Sequence, residues 1–144
     1  MRILIVDNYD SFTHNLYHYV SQFENNVEVV KNDKISLKEV EQYDKIILSP
    51  GPGLPDEHKN LKKIIEQFSS TKSILGICLG HQAIAECFGA SLKNLEDVLH
   101  GISSEILFIK KDRIFNQVPN QIKVGHYHSW VIDKETLPNC LEVT

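Results

Sequence analysis

The chain has 144 residues, 42% of them hydrophobic and 24% charged, with a formal net charge of -4. This suits a soluble globular protein with room for a sizeable core, and the weak negative charge, unblocked in either sign, gives no electrostatic case for nucleic acid. No apolar run approaches the ~18 residues of a membrane span, and three cysteines without C-x-x-C spacing suggest neither a disulfide framework nor a structural zinc site.

In chain order, Ile3-Leu4-Ile5-Val6 ends on Asp7 and is too short for a secretory leader. It reads as a buried first strand over 2–6, and a cytoplasmic protein is expected. Phe12, Leu16, Tyr19, Val20 and Phe23 recur at helical spacing, predicting an amphipathic helix. Val27 to Val30 is a second strand, Ser36-x-x-Glu39 a capping box opening a short helix, and Lys45 to Leu48 a third strand. A helix from about His58 to Phe68 carries Leu61, Ile64, Ile65 and Phe68 on one face. Ile74 to Ile77 is a fourth strand, and a helix over 79–88 stops at Gly89. Four βα units predict an open, mostly parallel, flavodoxin-like α/β sheet with helices on both faces. From Ser103 the texture changes: Ile106–Ile109, Ile122–Tyr127, Val131–Ile132 and Leu141–Val143 read as added strands.

Ligands bind such sheets at the carboxyl ends of the strands, and the chemically odd segments follow residues 6, 48 and 77. Gly76-Ile77-Cys78-Leu79-Gly80 fits the G-x-nucleophile-x-G elbow. A strand turning at once into a helix forces the central residue into a strained, exposed conformation, and close approach requires small flanking residues. The helix N-terminus favours thiolate and lowers the thiol pKa, and the Leu79 N–H can serve as an oxyanion donor. The plainer reading is a cysteine buried at a strand end. Cys87, beside Phe88, reads as packing, and Cys140 has no evident partner.

Ser49-Pro50-Gly51-Pro52-Gly53 can bring backbone N–H groups to a ligand, although alone it reads as a tight turn. In Asp7-Asn8-Tyr9-Asp10-Ser11-Phe12-Thr13, either Asp10 or Ser11 suits the N-cap of the next helix, and the remaining polar-aromatic density suggests a contact surface. His126 and His128 share a strand face but lack further ligands at metal spacing; His14 and His18 read as solvated.

The segment Gly76-Ile77-Cys78-Leu79-Gly80-His81-Gln82 resembles the nucleophile segment of the class I, or triad, glutamine amidotransferases. With Asn8 to Thr13, Ser49 to Gly53, His100-Gly101 and Tyr127-His128-Ser129, the whole chain resembles the glutaminase subunits of anthranilate synthase (component II) and aminodeoxychorismate synthase. The resemblance implies that Cys78 attacks the glutamine carboxamide to give a γ-glutamyl thioester, with oxyanion N–H groups from Leu79 and Gly51. It implies glutamine contacts from Gly51, Pro52, Gly53, Gln82, Ser129 and Trp130, the last standing where leucine is commoner. It implies a partner face formed by Asn8, Tyr9, Asp10, Ser11, Phe12, Thr13 and His100, against a chorismate-using large subunit that receives the ammonia. No cofactor or metal is implied.

The family's base and orienting acid lie in a His-Pro-Glu segment that occurs nowhere in these 144 residues. Residues 1–144 are therefore read as one amidotransferase domain cut before that segment, nearly inactive alone. Anthranilate synthesis is the first expectation for the intact protein, and aminodeoxychorismate synthesis the alternative. A non-catalytic glutamine- or partner-binding module is a rival reading. A different cysteine hydrolase on the same sheet would need neither the Gly-Pro-Gly loop nor Gln82.

Overall fold

The computed structural model describes the backbone of residues 1–144 and every side chain except those of Asp97 and Val98. It divides into two compact units, Met1–Cys87 and Phe88–Thr144. The first contains β1 (Ile3–Asp7), α1 (Thr13–Ser21), β2 (Val27–Lys31), α2 (Leu37–Val40), β3 (Lys45–Leu48), α3 (Leu61–Phe68), β4 (Ser73–Gly76) and α4 (Leu79–Cys87). Its four strands pair in parallel in the order β2-β1-β3-β4, which is the flavodoxin-like arrangement.

Successive residues of a strand point to opposite faces, and here both faces are covered. Leu4, Val6, Ile46 and Leu48 pack on α2, α3 and α4, through residues including Val40, Leu61, Ile64, Ile65, Phe68, Leu79 and Ala83. Ile3, Ile5, Val27 and Ile47 pack on Leu16, Tyr17 and Val20 of α1. The capping box is complete: the Ser36 hydroxyl accepts the Glu39 N–H (3.3 Å), and the Glu39 carboxylate accepts the Ser36 N–H (2.8 Å). Gly89 follows α4 with φ of 101°.

Helix α1 departs from the predicted stripe. Leu16 and Val20 pack against the sheet, while Phe12, Tyr19 and Phe23 are 63%, 65% and 90% exposed. Register places Val6 beside Leu48, and Leu48 beside Gly76. The three odd segments therefore leave neighbouring strand ends, beside the point between β1 and β3 where the strand order reverses direction.

The second unit is built on an antiparallel pair, β5 (Leu92–Leu107) and β6 (Gln121–Ile132). Two of the predicted strands change here. Strand β5 begins at Leu92, well before Ile106, and Leu141–Val143 is not a strand. Register shifts between Asn94 and Leu99 and between His100 and Ile102 reset the inward-outward alternation, so no continuous period-two signal marks the strand. Ile122–Tyr127 and Val131–Ile132 merge into β6. Among the described residues, no helix is long and apolar enough to cross a membrane.

Candidate active site

Strand β4 ends at Gly76 and α4 begins at Leu79, so only Ile77 and Cys78 lie in the corner. Cys78 has φ of 51°, a left-handed conformation that costs a non-glycine residue about 1–2 kcal/mol. Its side chain is exposed. The reason for the flanking glycines is steric. A Cβ on Gly76 would lie 2.5 Å from the Gly80 carbonyl and the His81 nitrogen, and one on Gly80 would lie 2.4 Å from the Leu48 carbonyl oxygen. Strand and helix touch backbone to backbone on both sides of the cysteine.

The loop after β3 comes to the same corner. A Cβ on Gly51 would meet the Leu79 side chain at 2.6 Å and Asn8 at 2.7 Å, so the Gly51 backbone rests against the first residue of α4. Beneath it lies a polar network that no local motif announces. Asn8, fully buried, donates its backbone N–H to the Ser49 hydroxyl (2.9 Å) and its side-chain amide to the Ser49 carbonyl (2.9 Å). The Asn32 amide donates to Asn8 Oδ1 (3.3 Å) and meets His58 Nδ1 (3.1 Å), while His58 Nε2 meets the Pro52 carbonyl (2.8 Å).

The segment after β1 is organised by Asp7. Its carboxylate accepts the N–H groups of Tyr9 (2.9 Å) and Asp10 (3.2 Å) and the Thr13 hydroxyl (2.9 Å). The helix N-cap is Phe12 rather than Asp10 or Ser11; the Asp10 carboxylate accepts the Phe12 N–H one step earlier (2.8 Å). Asn8 and Thr13 are buried, while Tyr9, Ser11 and Phe12 are exposed. Gln82, one turn into α4 from Cys78, is also buried. His14 and His18 are exposed on α1.

Of the other cysteines, Cys87 is half-buried with its thiol directed at the Lys62 carbonyl, and burial, the largest influence, pushes it up to about 11. Cys140 is exposed. In the second unit, Ser129 and Trp130 lie on β6, and His100 on β5 sets its ring edge-on to Tyr127 at 5.3 Å. His126 and His128 do share a face: their rings approach to 3.2 Å between nitrogens, and His126 also meets the Ser104 hydroxyl (2.6 Å). Among the described residues, no three His, Cys, Asp or Glu side chains are grouped to hold a metal.

A family model for glutamine amidotransferase class-I matches residues 4–144. The chain belongs to this family. It is 44% identical to aminodeoxychorismate synthase component 2 of Klebsiella aerogenes, over 99% of this chain and 76% of that protein. It is 42% identical to anthranilate synthase component 2 of Pseudomonas aeruginosa, over 99% of this chain and 71% of that protein. The crystal structure of a GMP synthase component from Thermoplasma acidophilum matches with a TM-score of 0.82 at 28% identity, over 96% of this chain and 69% of that one.

The thiol of this amidotransferase does not have the lowered pKa that its helix terminus suggests. Burial raises it, the Leu79 N–H donated to the sulfur acts against that, and the Asp10 carboxylate raises it further. The side chain is exposed, yet the surrounding protein withdraws enough water from the sulfur for burial to dominate. Asp10→Asn removes the charge that opposes thiolate while keeping an oxygen for the Phe12 N–H. The pH midpoint of Cys78 alkylation by iodoacetamide is therefore expected to move down in this variant, and its rate at neutral pH to rise. A midpoint unchanged from the parent would show that Asp10 does not act on the sulfur.

Proposed function

We propose that the protein releases ammonia from L-glutamine with Cys78 as nucleophile and supplies it to a chorismate-using synthase subunit. The observation that carries this reading is the strained, exposed Cys78 at a strand-helix corner whose flanking backbone admits only glycine. The sulfur, as thiolate, adds to the carboxamide carbon. The Leu79 and Gly51 N–H groups stabilise the resulting oxyanion, a role worth on the order of 10²- to 10³-fold in rate for each donor. Collapse breaks the carbon-nitrogen bond as the nitrogen takes up a proton, leaving a γ-glutamyl thioester and ammonia. Water then cleaves the thioester, giving glutamate and the free thiol.

Glutamine would be held by Gly51, Pro52, Gly53 and Gln82. For Ser129 and Trp130 the resemblance alone supports that role, as it does for His100 at the partner face. Tyr9, Ser11 and Phe12 are the residues of the β1–α1 segment whose exposure suits contact with a synthase subunit. Asn8 and Thr13 suit a supporting role, being buried. The unbroken family match across both units supports one amidotransferase domain over 1–144, and a biosynthetic role of this kind suits the cytoplasm. Anthranilate synthesis, within tryptophan biosynthesis, is the first reading. Aminodeoxychorismate synthesis, toward folate, is the second, because relatives named for each reaction are 42% and 44% identical to this chain.

These residues contain no His-Pro-Glu segment to supply the family's base, and loss of a triad base costs roughly 10³-fold or more. Glutaminase turnover by the 144-residue chain is expected to be lower by that order than by a chain extended through such a segment. Equal turnover by the two would refute this division of labour. Reconstitution of the extended chain with each synthase subunit, supplied with glutamine and chorismate, decides between the two products.

A further inference from the structure

We infer that His58 is a positioning residue for the glutamine-facing loop, locking the backbone on either side of Gly51 through a closed chain of oriented hydrogen bonds. This rests on the glutaminase reading above and assigns a role outside the residues that reading uses. The chain starts on the Ser49 carbonyl, which can only accept. The Asn8 amide therefore turns its nitrogen to Ser49 (2.9 Å) and its oxygen to Asn32. Asn32 must then present its nitrogen to Asn8, and the same nitrogen reaches His58 Nδ1 at 3.1 Å. At the far end the Pro52 carbonyl can also only accept, so His58 Nε2, 2.8 Å away, carries the hydrogen.

Both neighbours therefore demand one tautomer, a neutral ring with its hydrogen on Nε2 and a lone pair on Nδ1. No member can be turned over without setting donor against donor or acceptor against acceptor. The anchors are fixed: Asn8 and Asn32 are 0% and 2% exposed, and the Asn60 amide holds the Asn32 carbonyl from behind at 2.9 Å. The two ends of the chain, Ser49 and Pro52, bracket Pro50-Gly51. His58 thus converts a buried register between β1 and β2 into a set direction for the Gly51 N–H, although it touches no substrate. Its ring is half-buried beside an open cleft of about 350 Å³ lined also by Tyr9, Asn32 and Glu57. Changing the ring's nitrogens therefore opens no internal void.

His58→Phe keeps the ring and removes both hydrogen bonds, whereas His58→Gln keeps a donor and an acceptor. The test follows Cys78 labelling by the chloromethyl ketone analogue of glutamine, in which the thiolate adds at the ketone carbonyl and displaces chloride. Iodoacetamide, which needs no oxyanion donor, is run in parallel. The maximal chloroketone rate in His58→Phe is expected to fall roughly 10- to 100-fold, as for a misplaced reacting group. His58→Gln should recover most of that loss, and the iodoacetamide rate should hold in all three proteins. Equal chloroketone rates in the parent and His58→Phe overturn the positioning role. A parent that takes iodoacetamide but shows no saturable chloroketone labelling overturns the glutaminase reading, and this inference with it. Independently of labelling, imidazole nitrogen spectra should show His58 as the neutral Nε2–H form; the Nδ1–H form would overturn the hydrogen-bond chain.

Discussion

Cys78→Ala in a chain extended through a His-Pro-Glu segment is expected to lower glutamine hydrolysis by on the order of 10⁴-fold or more, since removal of a nucleophile that works as part of a unit removes nearly the whole of its effect. Cys87→Ala and Cys140→Ala should leave the rate unchanged, because one thiol is directed at the Lys62 carbonyl and the other belongs to an exposed residue of the second unit. Steady-state ammonia release measures all three. A companion substitution separates chemistry from strain. With φ of 51° at Cys78, Cys78→Gly abolishes activity but relieves a left-handed conformation costing about 1–2 kcal/mol, less the ~0.5–1 kcal/mol of extra chain freedom that glycine brings. Its melting temperature should equal or exceed the parent's. A clear loss of stability in Cys78→Gly would mean that the corner is not strained.

Gly80→Ala is expected to be strongly destabilising. The added carbon would lie 2.4 Å from the Leu48 carbonyl oxygen and 2.6 Å from the Leu48 Cβ. Both belong to a strand held by β1 and β4 on either side, so neither can swing away as a flexible side chain could. Relief requires α4 to move off the sheet and disrupt the packing of Leu79 and Ala83. Overpacking of this kind costs about 1–3 kcal/mol or more, a large part of the ~5–15 kcal/mol that holds a typical domain together. The denaturant midpoint should fall accordingly, and the alignment of the Leu79 N–H with the sulfur should be lost at the same time. Gly125→Ala is the control: its nearest neighbour would be the Tyr127 ring at 3.2 Å, and little change is expected.

What can be read from the sequence is what short-range geometry dictates. The elbow glycines, the Ser36–Glu39 box, the four short strands and the buried face of α3 each occupy a few consecutive residues, and each appears as expected. Elements whose pattern depends on distant partners are harder to read. Helix α1 has the apolar spacing of a fully packed helix, but the sheet receives only Leu16, Tyr17 and Val20, leaving Phe12, Tyr19 and Phe23 outside. Strand β5 hides behind its two register shifts. At the site, Cys78, Gly51 and Gln82 stand out through local motifs. The Asn8–Asn32–His58 chain does not, because its links join residues 24 and 26 positions apart and leave no periodic trace. The thiol departs from its expected acidity for a related reason. The helix terminus is visible in the sequence, whereas the burial and the Asp10 charge that outweigh it depend on how separate loops assemble.

The most direct measurement is to treat the protein with the chloromethyl ketone analogue of glutamine, digest it, and locate the label by mass. A single modification on Cys78, slowed by added L-glutamine and absent in Cys78→Ala, is the predicted result. Modification spread over Cys87 or Cys140, or labelling of Cys78 that excess glutamine leaves unchanged, would contradict a nucleophile set beside a glutamine pocket.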